Sequence, residues 1–267
     1  MAEQSALDHP RVTWRAAWIV VGLYLAVVTA AAALLPCPDP ETHGTRLAVC
    51  LLAIEVLGIG IAAPFLAARE LRGPVEPGGR AGAGAGARWL AVLVPLVGMA
   101  VVSAAVVAAA VRGAVSGVAL AWAQVFLLSF GFLMAALTCL AARLGARATT
   151  AQALATLLAV AMVGNVFFAN SLVEAATAER AKMAVIDAVL WGNPWLIVAG
   201  SLLEADPLRS ENLYSWSVLI YYGFQYPGAG LGGVGARAVL VTCVYAAAGV
   251  VALAAGWLIG RRPRPAQ

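Results

Sequence analysis

The sequence predicts an all-α, polytopic membrane protein: six transmembrane helices, with an external re-entrant or interfacial helical segment between the fifth and sixth. Three observations carry this. Hydrophobic residues make up 63% of the 267-residue chain and charged residues 11%, where a soluble domain has roughly a quarter of its residues charged. The apolar residues fall into separate runs of the roughly 20 residues a bilayer crossing needs, and the basic residues stand singly between those runs. The mean hydropathy of +0.89 is too high for a water-soluble core of this size to satisfy.

The first apolar run, Trp14 to Leu35, opens beside the basic residues Arg11 and Arg15. Its unbroken length exceeds the h-region of a signal peptide, so it reads as a retained helix. Pro36 stands before Cys37 where a lipoprotein anchor would need a small residue. The second run is Leu47 to Ala68 and the third Trp89 to Val111. Arg112 and Gly113 turn the chain into the fourth, which extends to about Ala142 and is long enough to need tilt or a bend. Arg143 to Arg147 closes that hairpin. The fifth run covers Ala148 to Leu172 and the sixth Ala238 to Gly260. Residues 1–267 thus read as one transmembrane unit, with a polar connection at 73–88 and an external segment at 173–237. The alternation Gly82-Ala83-Gly84-Ala85-Gly86-Ala87 offers little side chain to bury, and is expected to be a mobile linker.

Eleven of the Lys and Arg residues fall on the side that holds both termini and six on the other. The positive-inside rule then places both termini in the cytoplasm. The abundance of Arg, Ala and Gly is that of a high-GC bacterial genome, so the expected location is the bacterial inner membrane. The net charge of +4 is spread between spans with no basic patch interleaved with aromatics, which argues against nucleic acid as a partner and for membrane lipid.

The connection between the fifth and sixth spans is the longest and mostly acidic. Within it, Met183 to Leu203 is apolar but broken at Gly192-Asn193-Pro194. Neither half is long enough to cross, and a residue before proline resists the helical conformation. A hairpin broken at Asn193 and Pro194 is expected. Beyond it, Tyr214, Trp216, Tyr221, Tyr222, Phe224 and Tyr226 read either as an interfacial aromatic belt or as a stacking surface.

No catalytic signature stands out, and no cofactor or metal is implied. The chain has no HExxH, GxSxG or P-loop, and its two histidines, His9 and His43, are placed on opposite sides of the membrane. The four cysteines are too scattered for metal or redox pairs, although Cys37 and Cys50 would both lie near the outer face. The outstanding buried group is Glu55, roughly 12 Å below the surface in the second span. An unpaired charge there costs several kcal/mol. It is either a substrate-path or proton-linked group, or a neutral carboxyl bonded to another helix. Gln124, Asn165 and Asn170 are its candidate partners.

At the inner end of the second span an apolar helix passes directly into a charged turn, Ala63-Pro64-Phe65-Leu66-Ala67-Ala68-Arg69-Glu70-Leu71-Arg72-Gly73-Pro74-Val75-Glu76. The Ala-Pro pair and the Glu70, Arg72, Gly73, Glu76 turn resemble the permease subunits of type-2 ABC exporters. So do the basic turn Ala142-Arg143-Leu144-Gly145-Ala146-Arg147 followed by Ala148-Thr149-Thr150, and the Asn193-Pro194 pair ahead of a last helix and a short basic tail. The resemblance implies that Glu70, Arg72, Gly73 and Glu76 contact a separate ABC ATPase subunit, since this chain has no nucleotide-binding motif of its own. It also implies an external re-entrant element at Asn193 and Pro194, and a second permease copy or paralogue completing the path. The chain departs from the family's pattern at Pro74, where a Thr is usual, and in the Gly/Ala stretch that follows. Two other readings fit the composition: a membrane scaffold that assembles other proteins through small-residue faces, and an ion- or proton-linked carrier that uses Glu55.

Overall fold

The computed structural model describes residues 9–34, 40–72, 81–202 and 234–260, and every regular element among them is an α-helix. The helices are α1 (His9–Leu34), α2 (Pro40–Arg72), α3 (Ala81–Val111), α4 (Gly117–Arg143), α5 (Ala148–Ala175), α6 (Glu179–Gly192), α7 (Pro194–Leu202) and α8 (Val234–Gly260). Stretches within α2, α3, α4, α5 and α8 are each long and apolar enough to cross a bilayer. The expected first span is α1, 26 residues long, which carries a shorter apolar stretch from Trp18 to Leu34. The chain is a multi-pass membrane protein.

The directions of the helices follow from which residues meet. Glu55 of α2 bonds Gln124 of α4, and further along both helices Ile59 and Ala63 lie against Gly131. α2 and α4 therefore run parallel. Phe126 of α4 packs on Tyr245 of α8 with ring centroids 5.5 Å apart, and Arg143 near the end of α4 lies against Gly256 of α8, so that pair is parallel too. α5 runs the other way: Ala159 meets Gly60 of α2 in its middle, and Gln152 near its start meets Arg72 at the end of α2. α3 also opposes α2, since Ala114, just past its end, closes on Gly44 near the start of α2. Alternate spans thus run in opposite directions, as short connections between membrane helices require. The core lies between α2 and α4, where Leu51, Leu52, Ile59, Phe126, Leu127 and Phe130 are wholly buried.

The turns account for the span boundaries. After α4, the Gly145 N–H donates to the Ala142 carbonyl and the Ala146 N–H to the Ala141 carbonyl. Gly145 takes a φ of +104°. This is a Schellman closure, and glycine is the residue that adopts that φ without strain. Before α4, residues 112–116 form a turn in which Ser116 caps the helix through its side-chain oxygen and the Ala119 N–H. That turn shortens the fourth span, expected to be overlong, to 27 residues, close to its neighbours.

Two further boundaries differ from expectation. The segment expected to be a mobile linker over 73–88 is helical from Ala81, because a Gly/Ala alternation that has no side chains to bury still carries alanine, the strongest helix former. Residues 73–80 lie outside the described residues. The external segment expected over 173–237 is narrower, because α5 continues to Ala175 and α8 already begins at Val234. Its aromatic stretch from Tyr214 to Tyr226 lies outside the described residues. α6 and α7 form a pair bent by 82° at Asn193, as the Asn-Pro break predicts.

Candidate functional site

Three groups of polar residues stand out: one at each of two levels within the bundle and one at its end. The first is the α6–α7 elbow. Asn193 is wholly buried. Its side-chain oxygen accepts from the Trp195 and Leu196 backbone N–H groups at 3.0 and 3.1 Å, which makes it the N-cap of α7, and Pro194 occupies the first helical position, where its missing N–H costs nothing. The Asn193 amide nitrogen donates to the Val163 carbonyl at 2.8 Å and to Asn165 Oδ1 at 2.9 Å, both on α5. Trp195 Nε1 donates to the Val49 carbonyl of α2 at 3.1 Å. Val163 and Asn165 precede the end of α5 at Ala175 by ten residues or more, so the elbow sits about 15 Å or more inside that end of the bundle. Such an insertion is tolerated because the Asn193 side chain, its backbone N–H and carbonyl, and the Trp195 indole all have protein partners.

Asn165 was a candidate partner for Glu55; it serves the elbow instead, because its side chain lies beside Asn193. Asn170, the other candidate on α5, is half-buried further along that helix.

The second group lies at Glu55, four residues beyond the wholly buried Leu51 on α2. The Glu55 side chain is completely buried, and its Oε2 accepts from Gln124 Nε2 at 2.8 Å. Of the three candidate partners, Gln124 is the one that bonds Glu55. Two further members were not anticipated. Ser103 of α3, also wholly buried, stands beside the Glu55 carboxyl and the Tyr24 hydroxyl, and donates its own proton toward the Ala100 carbonyl at 3.2 Å. The edge of the Tyr24 ring of α1 lies against Gly58 of α2, one turn beyond Glu55, where any side chain would collide with it. Four helices thus each contribute one polar side chain to a single point. Glu55 Oε1, Gln124 Oε1 and the Tyr24 hydroxyl are buried there with no hydrogen-bond partner.

The third group is the charged corner at the end of α2. Arg69 pairs with Glu70 at 2.8 Å, and Arg72 Nη2 donates to Gln152 Oε1 of α5 at 3.3 Å. Gln152 follows the basic α4–α5 turn directly, so two stretches 80 residues apart in sequence meet at one corner. Arg72 is exposed, as are Arg143 and Arg147 of the adjoining turn. Gly73 and Glu76, expected to belong to this corner, lie outside the described residues.

One buried cation went unnoticed in the sequence. Arg237, counted as a connecting-loop residue, lies in the first turn of α8, is 1% exposed, and stacks over the Trp191 ring at 5.2 Å. The signal for it was its position immediately before an apolar run. Cys50, Cys139 and Cys243 are free thiols, and Cys37 lies outside the described residues. No group of three or more His, Cys, Asp or Glu side chains gathers among the described residues.

Comparison with known proteins identifies no family: no family model, no curated protein and no solved structure matches the chain.

Proposed function

We propose that this chain is a permease subunit of an ATP-driven ABC exporter, lining a translocation path together with a second permease half and coupled to a separate ATPase subunit. One observation carries the reading: Arg72 bonds Gln152, which brings the charged turn expected to meet the ATPase to one corner with the start of α5, next to the second stretch that resembles that family. A helix that ends in such a corner transmits a push along its axis, because α2 runs as one helix from the corner to the elbow contact at Val49. The half-inserted elbow between the fifth and last spans, at the opposite end, is consistent with an element that closes the path. In this orientation the corner and both termini face the cytoplasm. α5 exposes Leu154, Leu157, Leu158, Phe167 and Phe168, a face suited to lipid or to the second half.

The test is affinity purification of the tagged full chain from its native membrane. The expected result is co-purification of a protein carrying a P-loop and an ABC signature, and loss of that protein on Glu70→Lys or Arg72→Glu. Stable membrane partners that include no ATPase, unchanged by either reversal, would instead support a scaffold.

A further inference from the structure

The Glu55 cluster takes no part in the corner or the elbow, and its chemistry is incomplete as it stands. Glu55 Oε1, Gln124 Oε1 and the Tyr24 hydroxyl are each buried without a partner. Ser103 Oγ directs its proton to Ala100, so its lone pairs remain available. The set therefore has four oxygen atoms to offer, from α1, α2, α3 and α4, and carries one formal negative charge. Among the described residues no ion pair reaches Glu55, and the arginines that flank it on α2, Arg46 and Arg69, stand about 13 and 21 Å away along the axis.

We propose that Tyr24, Glu55, Ser103 and Gln124 form a binding site for a small monovalent cation, of which sodium is the abundant example. Three features select this class. All the available atoms are oxygens, which suit hard cations; nitrogen or sulfur donors, which softer metals prefer, are missing from the set. The single carboxylate balances one positive charge, whereas a divalent ion would leave a net charge buried in a medium where charge is costly. Finally, three orphaned oxygens belong to side chains gathered around one carboxylate beside Ser103, and one bridging ligand would satisfy them together. A water molecule would bridge but leave the carboxylate without a counter-charge. A proton on the carboxyl would neutralise the charge and donate to one neighbouring oxygen, but would leave the rest of the set unbridged. A cation does both.

Such a site ties together four helices that otherwise meet through apolar contacts, and Gly58 keeps Tyr24 in place by leaving room for its ring. The inference is independent of the exporter reading: it concerns a bound ion, whether or not an ATPase is attached.

The experiment uses the full chain in nanodiscs of zwitterionic lipid, with thermal unfolding followed as sodium chloride replaces choline chloride at constant ionic strength. The midpoint should rise and saturate with sodium, as it does for any ligand that binds only the folded state. Glu55→Gln should abolish the rise, and Tyr24→Phe should weaken the apparent sodium affinity by about tenfold. Should Glu55→Gln fail to fold, Tyr24→Phe and Gln124→Leu carry the same comparison. Equal midpoints in sodium and choline would overturn the proposal, as would a sodium response that Glu55→Gln leaves unchanged. So would an infrared band of a protonated carboxyl that is lost in Glu55→Gln but persists at saturating sodium, because a proton would then hold the site.

Discussion

Asn193 and Glu55 are both wholly buried polar side chains at the meeting of several helices, yet one is complete and the other is not. Asn193 donates two hydrogen bonds and accepts two, and every one joins the elbow either to itself or to α5. Glu55 has one hydrogen bond, to Gln124, and its second oxygen has none. A buried polar group that is fully satisfied fixes a conformation; one that is half satisfied in a medium without water needs something else. The first pattern is that of an anchor and the second that of a site.

The largest effect should come from removing the anchor. Asn193→Ala deletes four hydrogen bonds at roughly 0.6 kcal/mol each in a membrane bundle, and should lower unfolding stability in detergent by roughly 2–3 kcal/mol. A loss no larger than that of a surface substitution would break the contrast between the two groups. Gly58→Ala should come next, at about 1–2 kcal/mol, because the added methyl displaces the Tyr24 ring. It should also weaken the sodium response, whereas Asn193→Ala should leave that response intact. Trp195→Phe removes the bond to the Val49 carbonyl, and should cost about 0.6 kcal/mol in the same unfolding measurement. The smallest shift is expected for Glu55→Gln in sodium-free buffer, within about 0.5 kcal/mol of the parent. The amide keeps the shape of the carboxyl and a partner for Gln124. A large loss there would mean that Glu55 is an anchor of the same kind as Asn193.

The six spans and the broken hairpin were legible in the sequence because both depend on local signals. An apolar run of bilayer length shows itself without knowledge of its neighbours, and an Asn-Pro pair marks a break wherever it falls. Gln124 was legible as a partner of Glu55 because both stand deep in apolar spans, where few polar groups are available. Asn165 fits the same description and goes elsewhere: which face of α5 meets which helix is a property of packing, and no residue on α5 announces it. Tyr24 and Ser103 were missed for a related reason. A tyrosine or serine in a membrane helix is unremarkable in sequence, and these two gain meaning from lying beside Glu55. Arg237 was misplaced because α8 begins one turn before its apolar run, and the Trp191 ring that covers the guanidinium is 46 residues away by numbering.

The charged corner depends on a contact of the same long-range kind. Arg72 and Gln152 meet at 3.3 Å, and neither residue alone indicates the other. The central claim is that this corner carries force between an ATPase and α2. The most direct test is ATP hydrolysis by the ATPase bound to the full chain in proteoliposomes, with and without Glu70→Lys. The account predicts that the substitution releases the ATPase from the membrane and returns hydrolysis to the rate of the free subunit. Hydrolysis and membrane retention equal to those of the parent chain would contradict it.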